Sequence, residues 1–169
     1  MCCRLGQPSS VARHGFTLVE ILVVLVILGI AAAMVVPRLS GMGDLQAISA
    51  ARIVLADVEY AQDEAIVTQK PIKVKFATAS SSYQLTDGED VMLKHPLTKR
   101  AFEMKFPGTG GYEKVRILSA NFSGSSTVEF DSLGAPDNGG AVRVDADGHT
   151  YDITVAAVTG KVSVTVVNP

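Results

Sequence analysis

Tryptophan is absent from this 169-residue chain, and cysteine occurs twice, at Cys2 and Cys3. Both cysteines precede the first long apolar run, so a chain cut ahead of that run contains no disulfide, even in an oxidising compartment. With no apolar stretch before them they do not form a lipoprotein attachment site either. Organised catalytic chemistry is missing as well. His95 adjoins Pro96 in a loop, His149 sits at a turn or strand end, and no G-x-S-x-G nucleophile elbow occurs. Gly108-Thr109-Gly110-Gly111 is not followed by the Gly-Lys-Ser/Thr of a phosphate loop. Asp145-Ala146-Asp147-Gly148, with Asp131, Asp137 and Asn138 nearby in sequence, lacks EF-hand spacing, and Asp147-Gly148 between alternating strands reads as a hairpin turn. No cofactor or metal is therefore expected. Lys94, Lys99, Arg100 and Lys105 gather in one region, but Glu103 lies among them, no basic tail follows, and a solvated face rather than nucleic-acid binding is expected.

One long stretch lacks charge almost entirely. Phe16 to Val36 reads FTLVEILVVLVILGIAAAMVV, in which Glu20 is the one ionisable residue. As a helix it would span about 31 Å, enough for a hydrocarbon core of roughly 30 Å. The segment before it carries Arg4, Arg13 and His14 and no acid, which places the N-terminus in the cytoplasm and everything after Pro37 outside. A secretory signal peptide cut at Ala31-Ala32-Ala33 fits poorly, because the run is too long, continues past the alanines and contains an acid. A plain signal anchor explains length and orientation but leaves Glu20 without a partner. An acid inside an apolar span is a functional hypothesis until its partner is found.

Gly15-Phe16 resembles the cleavage site of the type IV pilin superfamily. With Phe16 as first mature residue, Glu20 becomes the fifth, Gly29 the fourteenth and Pro37 the twenty-second, with Thr17-Leu18-Val19 between, as that pattern requires. The resemblance implies cleavage after Gly15 by a prepilin peptidase and N-methylation of Phe16. It also implies an assembly role for Glu20 and helix flexibility at Gly29 and Pro37. Cleavage creates an ammonium on Phe16, which the Glu20 carboxylate of a neighbouring subunit could meet, removing two desolvated charges and fixing register. Pairing within one chain is the alternative, since the two residues lie four apart on a helix.

Residues 1–15 thus read as leader, 16–36 as transmembrane and assembly helix, and 37–69 as linker and amphipathic second half of the helix. Residues 70–169 read as a periplasmic antiparallel β domain. Removing Arg4 and Arg13 takes the net charge from −2 to about −4, so there is no general attraction to nucleic acid. Past the glycines and proline of residues 37–43, Asp44 is placed to cap a helix running to about Gln69. Its apolar stripe is expected to be Leu45, Ile48, Ala51, Leu55, Val58, Ala61 and Ala65, packed on a sheet. Arg52, Asp57, Glu59, Asp63 and Glu64 are expected on the opposite, charged face. Period-two patterns predict strands at Ile72 to Phe76, Tyr83 to Leu85, Val115 to Leu118, Thr127 to Phe130, Ala141 to Val144, Thr150 to Ala156 and Lys161 to Val167. An irregular stretch is expected from Val91 to Tyr112.

A long N-terminal helix followed by an antiparallel sheet is an α+β plan. Ile72-Lys73-Val74-Lys75-Phe76, Phe130-Asp131-Ser132-Leu133-Gly134 and the closing Ile153-Thr154-Val155 with Thr159-Gly160-Lys161-Val162 resemble the minor pseudopilin family GspH/FimT. The tryptophan-containing calcium loop of the major pseudopilin has no counterpart here. The resemblance implies a non-enzymatic subunit of the periplasmic pseudopilus of type II protein secretion, held in the bacterial inner membrane. Its partners would be the prepilin peptidase, other pseudopilin subunits and the inner-membrane secretion platform. The alternatives are a FimT-like minor pilin of a type IV pilus or DNA-uptake system, and, in another class, a membrane-anchored periplasmic binding or enzymatic domain.

Overall fold

The computed structural model describes residues 16–35, 42–107 and 110–168, and the chain divides into two compact units between Ser40 and Gly41. In the first unit, helix α1 spans Leu18–Val35. Thr17 starts it: the Glu20 N–H donates to the Thr17 carbonyl (3.1 Å) and to Thr17 Oγ1 (3.2 Å), while the Ile21 N–H donates to the same carbonyl (3.2 Å). Every side chain from Phe16 to Ala32 is exposed. A helix apolar on all sides has no solvent-facing stripe and needs an apolar environment. Among the described residues no helix is long and apolar enough to cross a membrane. As described, α1 rises about 27 Å, and the apolar run continues to Val36, outside the described residues.

The second unit is α2 (Met42–Thr68) laid on two four-stranded antiparallel sheets. Its strands are β1 (Ile72–Ala77), β2 (Ser82–Asp87), β3 (Glu103–Lys105), β4 (Arg116–Asn121), β5 (Thr127–Phe130), β6 (Gly140–Ala146), β7 (His149–Val155) and β8 (Val162–Asn168). One sheet has the order β3-β2-β1-β5 and the other β4-β6-β7-β8, so the expected sheet is in fact two. The fold is α+β, a long helix followed by antiparallel strands. Helix α2 packs against β1 and β5 of one sheet and β6, β7 and β8 of the other.

The expected stripe of α2 is rotated in the structure. Ala47, Ala50, Ala51, Val54, Val58, Ala61 and Ala65 are buried, Ile48 and Leu55 lie partly buried at the flank, and Leu45 is 66% exposed. Close approach explains the rotation, because alanines let the helix axis sink between the sheets, where leucines would hold it away. Gly43 takes this furthest: a Cβ there would stand 2.7 Å from Asp147 Cβ. Asp44 lies within the first turn of α2 and accepts the Tyr151 hydroxyl at 2.6 Å. Asp57, expected on the charged face, turns instead toward Tyr83. The helix ends where Gln69 adopts φ +56°, two residues before Pro71.

Strand alternation sends Val74, Phe76, Tyr83, Leu85, Val128 and Phe130 inward from one sheet, and Val142, Val144, Tyr151, Ile153 and Val155 from the other. Asp147 and Gly148, at φ +54° and +88°, form the turn between β6 and β7, the conformation a two-residue hairpin loop requires. Between Val91 and Tyr112 the structure is more ordered than its sequence indicates. Bridges join Thr86 to Met92 and Lys94 to Ala101, β3 pairs with β2, and Phe102 and Phe106 are buried.

Candidate functional site

The segment singled out by the sequence is partly in view. Gly15 and Pro37 lie outside the described residues. Phe16 is 78% exposed ahead of the first turn of α1, and Gly29 sits inside the helix with nothing within 4 Å of where a Cβ would be. Thr17-Leu18-Val19-Glu20 matches the T-x-x-E capping pattern, with the Thr17 hydroxyl half of the box formed at 3.2 Å. Glu20 therefore stands at the third helical position, where the unpaired N–H groups and positive end of the helix favour a carboxylate. The start of the helix itself offers the acid this partial compensation, which consideration of apolar burial alone does not reveal. The T-x-x-E spacing was the available signal.

Among the described residues the other candidates order turns and loops. His95 Nδ1 accepts the N–H groups of Leu97 (3.2 Å) and Thr98 (3.4 Å), and its ring lies 4.7 Å from that of Phe102, so it shapes a turn. A cleft of about 300 Å³ is lined by Leu45, Gln46, Ser49, Gly110, Gly111 and Tyr112. Asp131 Oδ1 accepts the N–H groups of Leu133 (2.8 Å) and Ala135 (2.9 Å), and Asp147 Oδ2 accepts Lys114 Nζ (2.5 Å). These carboxylates order loops, and among the described residues no three His, Cys, Asp or Glu side chains converge as a metal site.

The polar chemistry of the second unit lies instead along α2. Tyr83 donates to Asp57 Oδ2 at 2.5 Å. Burial pushes the Asp57 carboxyl above its ordinary range, against the opposing pull of the Tyr83 hydrogen bond and the nearby His95. Burial likewise drives the Tyr83 hydroxyl well above the usual phenol range, with the Asp57 charge and hydrogen bond adding to it. Further along, Gln62 Nε2 donates to the carbonyls of Gly134 (2.7 Å) and Thr159 (3.1 Å). The loop after β5 and the turn between β7 and β8 are thereby tied to one helical side chain.

Comparison with known proteins completes the picture. Residues 11–36 match the prokaryotic N-terminal methylation motif, and residues 50–160 match the type II transport protein GspH. The minor pseudopilin EpsH of the Vibrio cholerae type 2 secretion system is similar in fold, with a TM-score of 0.55 at 11% identity, over 72% of this chain and 97% of EpsH. The type IV minor pilin FimU of Pseudomonas aeruginosa is also similar, with a TM-score of 0.52 at 12% identity, over 72% of this chain and 90% of FimU. No curated protein matches. Because the GspH match spans most of its length, this chain belongs to the GspH family, type IV pilin-like minor pseudopilins that are structural proteins.

Proposed function

We propose that this chain is a minor pseudopilin of a type II secretion system, matured by cleavage between Gly15 and Phe16 and N-methylation of Phe16, then built into a short periplasmic filament. The carrying observation is that the methylation motif over residues 11–36 and the GspH domain over residues 50–160 occupy one chain in the order that anchoring and assembly require. On this reading residues 1–15 are leader, 16–36 cross the inner membrane with the N-terminus cytoplasmic, 37–69 continue into the amphipathic helix, and 70–169 form the periplasmic β domain. Prepilin peptidase, other pseudopilins and the inner-membrane secretion platform are its partners. Glu20 sets register by meeting the Phe16 ammonium of a neighbouring subunit, while Gly29 and Pro37 let the helix bend.

Mass spectrometry of the mature N-terminus tests the reading. A chain beginning with methylated Phe16 supports it, and an intact or otherwise cut N-terminus rejects it. A second reading, a minor pilin of a type IV pilus, draws on the similarity to FimU. Deletion separates the two machines: loss of protein secretion with surface pili unaffected supports the pseudopilus, and the reverse supports the pilus.

A further inference from the structure

Four strands have an open side: β3 and β5 in one sheet, β4 and β8 in the other. Folded proteins blunt such edges with charge, proline, short length or irregular pairing, because unpaired main-chain groups template another strand. Three of the four are protected in this way. β3 has three residues, two of them Glu103 and Lys105. β4 carries Arg116, and its register shifts between Ile117 and Ser119. β5 is covered by the returning chain: Phe130 bridges to Pro136, the Asp137 N–H donates to the Glu129 carbonyl (2.8 Å), and the Glu129 N–H donates to Asp137 Oδ1 (3.0 Å).

β8 has none of these devices from Val162 to Val166; its register with β7 shifts only beyond Val166, where Thr150 pairs with Asn168. It runs for seven residues as VSVTVVN, without charge or proline, and pairs regularly with β7 from Val162 to Val166. The Ala156 N–H donates to the Lys161 carbonyl at 3.0 Å, which fixes the phase of the ladder. In an antiparallel pair that phase turns Ser163 and Thr165 main-chain groups toward β7 and those of Val162, Val164 and Val166 away from it. Among the described residues no strand pairs with that outer side. Alongside runs an apolar flank of α2. Asp44 and Gln62 reach Tyr151 of β7 and Thr159 of the β7–β8 turn, and Ile48 and Leu55 fall between them on the same helical row. Both are partly buried, as is Val164, and Val166 is 55% exposed.

We propose that the outer edge of β8 accepts an extended segment of another protein chain as a fifth strand of its sheet. Main-chain pairing to Val162, Val164 and Val166 supplies affinity, and alternate side chains settle toward Ile48 and Leu55. No residue of β8 is charged, so the strand itself supplies no ion-pair partner to a charged peptide. The occupant is an uncharged strand, apolar at alternate positions. That its donor in the cell is a neighbouring filament subunit rests on the reading above, whereas the edge's capacity to accept a strand does not.

Amide hydrogen exchange on the full chain in detergent, with and without a peptide probe, tests this independently of N-terminal processing. The probe is Val-Ser-Val-Thr-Val-Val-Asn flanked by lysines for solubility, and its proline-interrupted version serves as control. The probe should slow exchange at Val162, Val164 and Val166 by roughly tenfold and leave the already paired Ser163 and Thr165 unchanged. Val166→Pro, which removes an outward N–H and no ladder bond, should abolish the slowing, and Val166→Lys should weaken it while retaining the residue's own N–H. Three amides already slow in the unbound chain, or unslowed at millimolar probe, would overturn the proposal.

Discussion

The Tyr83 hydroxyl and the Asp57 carboxylate meet at 2.5 Å, joining the start of β2 to the middle of α2 at the edge of the core. Neither group is comfortable there without the other. A buried carboxylate stripped of its donor keeps its desolvation penalty and loses its compensation. Tyr83→Phe is therefore expected to destabilise the second unit by about 1–3 kcal/mol, read as a lowered urea midpoint at pH 7. Asp57→Asn retains an acceptor for Tyr83 and should cost less or stabilise.

The same pair predicts a pH dependence. The folded-state pKa of Asp57 is raised, chiefly by burial, so its contribution to stability is fully present below about pH 4, where the unfolded carboxyl is also protonated, and is lost as pH rises through the elevated folded value. Asp90 and Glu113 act oppositely. Their pKa values are lowered, Asp90 by hydrogen bonds from Lys75 and Lys73 and Glu113 by backbone N–H donors, so their contribution is present above the ordinary carboxylate range and lost on acidification. Comparison of wild type with Asp57→Asn isolates the first effect: the variant's melting temperature relative to wild type should be more favourable at pH 7 than at pH 4. Equal differences at both values would contradict it.

Gly140 provides a steric test. A Cβ built there would lie 2.2 Å from the Asn121 carbonyl oxygen and 2.7 Å from Phe122 Cα, both backbone atoms that cannot swing aside. Gly140→Ala should cost about 1–3 kcal/mol by overpacking, whereas Gly124→Ala, in open space but at φ +93°, should show the smaller penalty of backbone strain alone. Thermal melts of the two variants side by side check the ranking.

Much of the β domain was legible because strands announce themselves by alternation. The segment from Thr127 to Phe130 was delimited to the residue, and the Asp147-Gly148 turn followed from its chemistry. The helix was harder. Its 3.6-residue period permits several stripes, and spacings of three and four starting from Leu45 leave out Ala47 and Ala50, although two sheets close around the narrowest face. Partnerships across long separations, such as Asp57 with Tyr83 or Gln62 with Gly134 and Thr159, leave no local pattern. Likewise, β3 is three residues long and is defined by what lies beside it.

Assembly gives a further test. With Thr17 capping α1 and Glu20 at its third position, Thr17→Ala should cost helix stability of about 1 kcal/mol and leave processing at Gly15-Phe16 intact. Glu20→Ala should insert normally yet enter filaments poorly. Crosslinking of assembled subunits and membrane fractionation distinguish the two steps, and normal incorporation of Glu20→Ala would sink the pairing of Glu20 with Phe16.

Gln62 holds one loop of each sheet with a single amide nitrogen. One helical side chain thus couples the loop after β5 to the turn between β7 and β8, alongside the packing of α2 on both sheets. A displacement of α2 at Gln62 therefore reaches loops of both sheets together.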